Sequence, residues 1–199
     1  CDATRSICGS RGMPSYNDAI DYFTTQTAGN GQDFGDLHTA KGYSAGMMSS
    51  TRGLIAGGVV CCPGVSHDTV EYVTIQSHGT ISDFGDLSGA RYEMASFGSP
   101  TRGMVACGSG SSNILEYWTI ATQGNAVDFG DATTLSAGGK YSASSPIRGV
   151  FGGGSPDVNN TLEYVQIATT GNGTDFGDFQ GFGRRGAGSE GISNAHGGL

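Results

Sequence analysis

An all-β fold built from four repeated units is what this sequence predicts, and three recurring markers predict it. The tetrapeptide DFGD stands at Asp33–Asp36, Asp83–Asp86, Asp128–Asp131 and Asp175–Asp178, at spacings of 50, 45 and 47 residues. An acid followed by tyrosine stands twelve residues ahead of each, at Asp21-Tyr22, Glu71-Tyr72, Glu116-Tyr117 and Glu163-Tyr164. An arginine opens a short apolar run at Arg5, Arg52, Arg102 and Arg148, and glycine follows it in the last three. Markers in register over the whole length exclude a chance motif, and self-similarity at this period means a solenoid, an array or a propeller.

The elements of one unit read as short strands. Gly53-Leu-Ile-Ala-Gly-Gly58 is an apolar run stopped by paired glycines, which suits a buried strand ending where the backbone turns tightly. Val70-Glu-Tyr-Val-Thr-Ile75 is rich in β-branched and aromatic residues and apolar on both alternating faces, so it needs cover on both sides. Ser77-His-Gly-Thr80 is a turn, matched by Gly29-Asn30, Gly124-Asn125 and Gly171-Asn172. Asp83-Phe-Gly-Asp-Leu87 then reads as a short outer strand with one large ring and turn chemistry at both ends. Tyr92-Glu-Met-Ala-Ser-Phe97 supplies the strand that leads back to the next Thr-Arg-Gly. Four short strands in about 48 residues, with both sheet faces buried, describe a propeller blade.

Composition agrees with this reading. Gly and Pro total 41 of 199 residues, below the range of low-complexity disorder, and only 14% of residues are charged. The formal charge of −8 gives phosphate-backbone binding no electrostatic footprint, so no nucleic-acid partner is expected. No apolar stretch reaches the roughly 20 residues that cross a bilayer as a helix, and no membrane span is expected. The five cysteines form no CxxC pair and no zinc spacing, and Cys8 and Cys107 read as small core fillers at their repeat positions.

The blade order is similar to that of kelch repeats. The residues that carry the resemblance are the Gly pairs Gly57-Gly58 and Gly152-Gly153, the Glu-Tyr pairs, the aromatic outer strand and Ala90-Arg91. The chain departs from that pattern in having Phe84, Phe129 or Phe176 where kelch blades usually carry Trp, and in the degraded Gly9-Ser10 and Cys107-Gly108 pairs. The resemblance implies a four-bladed kelch-like β-propeller, four short antiparallel strands per blade, as one domain over residues 1–199. The blades are expected at about 1–41 together with 182–199, at 42–91, at 92–137 and at 138–181. The C-terminal segment is expected to complete the first blade, since Ser193-Asn-Ala-His196 runs in the register of Ser99-Pro-Thr-Arg102. An open array, with each chain's end paired to the next chain, is the rival geometry.

Candidate sites divide into fixed and variable ones. The DFGD aspartates are expected to serve turns rather than calcium, and no metal site or cofactor is expected. The in-register arginines are expected to pair with the DFGD or Glu-Tyr acids. Gly181-Phe-Gly-Arg-Arg-Gly186 matches a dinucleotide fingerprint by letters only, with no strand–helix unit around it. Loops after the Gly pair differ between units, and variable loops on one rim of a rigid scaffold are where a binding face is expected. The candidate binding residues are therefore Ser15, Tyr16, Asn17, Ser66, His67, Asp68, Ser111, Asn113, Asp157 and Asn159.

Leu162-Glu-Tyr-Val-Gln-Ile-Ala-Thr-Thr-Gly-Asn172 running into Asp175–Asp178 also resembles repeats of virion proteins in marine tailed phages, especially phages of cyanobacteria, as does the ending Ser193–Leu199. That resemblance implies a non-enzymatic virion structural or attachment protein: a tail fibre, a receptor-binding tip or a head decoration. Its expected partners are other virion proteins and a host-surface glycan or protein, with the chain homo-oligomeric in a larger assembly, virion-borne or extracellular. The alternatives are a cell-surface adhesion or filament-forming propeller and a kelch-like oxidase, the last disfavoured because the four histidines fall in different repeat columns.

Overall fold

A computed structural model of the chain describes residues 4–11, 16–60, 64–79, 81–136, 138–154, 160–180 and 191–193, and these are strands and turns with no helix among them. In chain order the strands are β1 (Arg5–Arg11), β2 (Asn17–Thr24), β3 (Gln32–Asp36), β4 (Ala45–Met48), β5 (Arg52–Ala56), β6 (Val59–Val60), β7 (Val65–Ser66), β8 (Thr69–Thr74) and β9 (Ser82–Asp86). They continue as β10 (Ala95–Gly98), β11 (Arg102–Ala106), β12 (Ser112–Thr119), β13 (Val127–Ser136), β14 (Lys140–Ser144), β15 (Arg148–Gly153), β16 (Thr161–Gln166), β17 (Thr174–Asp178) and β18 (Gly191–Ser193).

Four consecutive sheets result: β1-β2-β3, β4-β5-β8-β9, β10-β11-β12-β13 and β17-β16-β15-β14-β18, with β6-β7 a small ribbon in a loop of the second. Every pairing is antiparallel except that of β18 with β14. The expected closure is corrected here. Among the described residues the C-terminal strand lies parallel to β14, with Ser142 opposite Gly191, and not on β1. The first sheet therefore has three strands, and a cavity of about 220 Å³ lined by Ile7, Gly9, Ala45, Leu54 and Val73 adjoins β1. Cys8 is exposed for the same reason, while its repeat counterparts Val105 and Phe151 are buried, so only Cys107 is a core filler.

The strands β8 and β12 have both faces covered, as their sequence requires, while β16 is covered on the face it turns to the third sheet. Each sheet presses one face on the next and buries a separate cluster there. Phe34 and Leu37 of the first unit meet Val73 and Ile81 of the second; Leu54 and Phe84 meet Val105 and Trp118; Met104 and Phe129 meet Phe151 and Val165. The core is thus a row of three inter-sheet layers rather than one centre.

The DFGD segment forms an outer strand in each sheet, but its key feature is a bulge. Val70 faces Gly85 and Glu71 faces Asp83, which leaves Phe84 as the extra residue, and the other three sheets repeat the shift. A bulge re-aims one side chain, and here it turns the ring onto the neighbouring sheet.

Candidate functional site: the repeated junction and the variable rim

Three features recur at each junction between sheets. The first is the arginine. Arg5, Arg52 and Arg102 lie over the rings of Tyr22, Tyr72 and Tyr117 of their own sheets at 4.4–4.8 Å. Their guanidinium groups then donate to carbonyls of the following sheet: Arg5 to Ile75 at 2.7 Å, Arg52 to Ile120 at 3.2 Å and Arg102 to Ile167 at 2.8 Å. The arginines do lock one unit to its neighbour, but the expectation that they pair with carboxylates is corrected. A planar cation can stack on an aromatic face and donate from its edge at once, which suits this bridging place.

The second feature is the turn of the following unit, which lies against the bulge. Gly79, Gly124 and Gly171 donate their N–H groups to the carbonyls of Phe34, Phe84 and Phe129 at 2.8–2.9 Å. In the later two junctions Asn125 and Asn172 accept from the N–H of Asp86 and Asp131 through Oδ1. In the first junction His78, the residue ahead of Gly79, stacks its ring on Phe34 with centroids 5.9 Å apart. Sequence reasoning placed these turns but missed their partner, although Gly-Asn keeping step with DFGD was the signal.

The third feature is ionic. The Glu-Tyr glutamates are buried and tie down the connection that enters from the preceding outer strand. Glu71 meets Lys41 at 2.9 Å and accepts from the His38 backbone N–H, with the His38 Nδ1 2.8 Å from the same oxygen. Glu116 pairs with Arg91 and accepts from the Ser88 N–H at 3.0 Å. Glu163 accepts from the Thr133 N–H and the Thr134 hydroxyl, with the Lys140 ammonium 3.9 Å away. Burial pushes the Glu71 carboxyl up, but the Lys41 ammonium and the His38 N–H outweigh it and hold the group below the usual carboxylate value. Burial lowers Arg91, with Glu116 offsetting part of the effect, and raises the Cys107 thiol to about 11, so that thiol is no nucleophile at neutral pH.

The loops between second and third strands stand on the same rim as these ionic ties. Tyr16 precedes β2 and Asn17 opens it, Ser66 lies in β7 with His67 and Asp68 after it, Ser111 ends the β11–β12 connection and Asn113 lies at the start of β12. All are partly or fully exposed. The carbonyls of His67 and Asp68 accept from the N–H groups of Arg91 and Leu87, so this loop is braced on the connection to the third sheet. Ser111 has φ +58°, a left-handed conformation that fixes its tight turn. Ser15, Asp157 and Asn159 lie outside the described residues. Among the described residues, no three His, Cys, Asp or Glu side chains converge as a metal site would need. His38, His67 and His78 sit at three separate places, respectively at Glu71, in a rim loop and on Phe34.

A row of antiparallel four-stranded sheets, each pressed on the next, is an all-β fold compatible with a propeller. No protein-family description matches the sequence, and no curated protein matches it either. Among solved structures, the chain is similar to YjhT, of the kelch and propeller type, with a TM-score of 0.75 and 11% identity over 98% of this chain and 68% of that one.

Proposed function

We propose that the chain is a non-enzymatic structural and attachment module in which the four sheets are blades of a kelch-like propeller and the rim loops are its variable binding face. One observation carries this reading. The glutamates that repeat in register are committed to the junctions, buried and paired as Lys41–Glu71, Arg91–Glu116 and Lys140–Glu163, while what differs from unit to unit lies in the loops. A scaffold that invests its ionisable groups in rigidity and varies its surface loops suits recognition better than turnover.

The likeness of Leu162–Asp178 and of the C-terminal residues to tailed-phage virion repeats supports a place on a virus particle, as a fibre, a tip or a head decoration, with other virion proteins and a host-surface glycan or protein as partners. The test replaces residues 15–17, 66–68, 111–113 and 157–159 by Gly-Ser and measures binding to host cells and to a glycan array. Loss of binding with an unchanged melting temperature is expected. Undiminished binding by the fully exchanged chain refutes the loop assignment.

A further inference from the structure

The three internal junctions define a contact whose two halves are both displayed, unused, at the ends of the array. Phe34, Phe84 and Phe129 are each 2% exposed, whereas Phe176 in the same bulge is 50% exposed. A Cβ built on Gly35, Gly85 or Gly130 would strike the carbonyl of the following unit's turn, whereas one on Gly177 meets nothing within 4 Å among the described residues. Arg148 stacks on Tyr164 like its three counterparts but is exposed where they are half-buried. The fourth sheet therefore presents a complete outer half.

The first sheet presents the inner half. Val73, Trp118 and Val165 are at most 3% exposed, and Phe23 at the same place is 39% exposed. Asp21 is exposed where Glu71, Glu116 and Glu163 are buried. The turn carries Gly29-Asn30-Gly31, in step with Gly124-Asn125-Ala126 and Gly171-Asn172-Gly173.

The geometry points to head-to-tail docking of a second copy of this chain, the first sheet of one copy covering the bulged face of the fourth sheet of the other. In that contact the Gly29 N–H meets the Phe176 carbonyl, Asn30 Oδ1 accepts from the Asp178 N–H, and Arg148 donates to the Thr25 carbonyl, as at the internal junctions. Among the described residues the first and fourth sheets of one chain do not cover each other, since Phe23 and Phe176 both stay exposed, and a second copy is a partner that carries both halves. Asp21 is one methylene shorter than its counterparts and Thr25 replaces an isoleucine, so this junction is weaker than the internal ones. A heterologous contact of this kind closes a ring or propagates as a filament according to the angle per copy.

The experiment is sedimentation velocity on the full chain across a hundredfold range of concentration, with Phe23→Glu and Arg148→Glu as variants. The wild type is expected to form species larger than a monomer as concentration rises, and each variant alone to associate at least tenfold more weakly. Mixing the two is expected to restore association but to stop it at a dimer, since only one competent head and one competent tail remain. Circular dichroism and the dilute melting temperature, unchanged in both variants, show that each still folds. A wild type that stays monomeric throughout overturns the inference, as does a mixture no larger than its components. The contact includes no rim loop, so this outcome is independent of whether the loops bind a host surface.

Discussion

Gly35, Gly85 and Gly130 stand in the DFGD bulges with φ between +142° and +146°, and each has the next unit's turn against the position a Cβ would take. Gly177 has φ +132° and open space. The two demands on this glycine, backbone conformation and close approach, can therefore be separated within one molecule. Gly177→Ala carries the conformational term alone, about 1–3 kcal/mol. Gly85→Ala adds overpacking of about 1–3 kcal/mol more. Urea unfolding at low protein concentration is expected to show the larger loss for Gly85→Ala, and equal losses would remove close approach as the reason for the motif. The buried acids make a second prediction. Glu71 has a folded-state pKa below its unfolded value, so its charge stabilises the fold above the usual carboxylate pKa, and that contribution is lost as pH falls through the lowered one. The melting temperature is expected to fall as pH is taken from about 5 to below about 3. Glu71→Gln is expected to flatten part of that dependence while lowering stability at pH 7 by about 3–5 kcal/mol, because the buried Lys41 ammonium loses the Glu71 carboxylate.

At the scale of the element, the junction arginine acts between sheets, and its worth depends on having a sheet to bridge to. Arg102→Lys keeps the charge but loses the flat face on Tyr117 and the donor geometry to Ile167, and is expected to cost about 1 kcal/mol. Arg148→Lys, whose guanidinium is exposed over Tyr164, is expected to stay within about 0.5 kcal/mol of wild type in dilute solution. Equal effects in parallel thermal melts would mean that the stacking on tyrosine, and not the bridge, carries the arginine's contribution. The elements themselves were legible in the sequence. Val70–Ile75 is apolar on both faces and became β8 with both faces covered, and Gly57-Gly58, at φ +61° and +113°, does end β5. What was not legible were the partners. Arginine is the usual bidentate partner of a carboxylate, so pairing it with the recurring acids was the expected reading, yet Arg52 lies between a tyrosine ring and backbone carbonyls, and carbonyls are invisible in a sequence. Of the bases that hold the glutamates, Lys41 and Arg91 share one offset from DFGD but differ in residue type, and Lys140 stands further on, so periodicity did not flag them. The bulge at Phe84 depends on register between strands, which no single-strand pattern contains.

For the whole molecule, the core is three inter-sheet layers in a row, each made only by neighbours, so stability is a sum of unit and nearest-neighbour terms. The second and third sheets have a neighbour on both faces. The first sheet has three strands and one covered face, and the fourth leaves Phe176 half in water. Local opening should follow that order, since the cost of opening a segment scales with the contacts it loses. Native-state hydrogen exchange in dilute solution is expected to find the amides of β8, β11 and β12 slowest. Those of β1, β2 and β17 should exchange at least about tenfold faster, a difference of about 1.4 kcal/mol in opening free energy. Raising the protein concentration adds a neighbour to each end if copies dock, so protection should rise in β2 and β17 and stay constant in β11. A profile flat across all four sheets at every concentration would mean that the array opens as one cooperative unit, and the nearest-neighbour account of its stability would then fail.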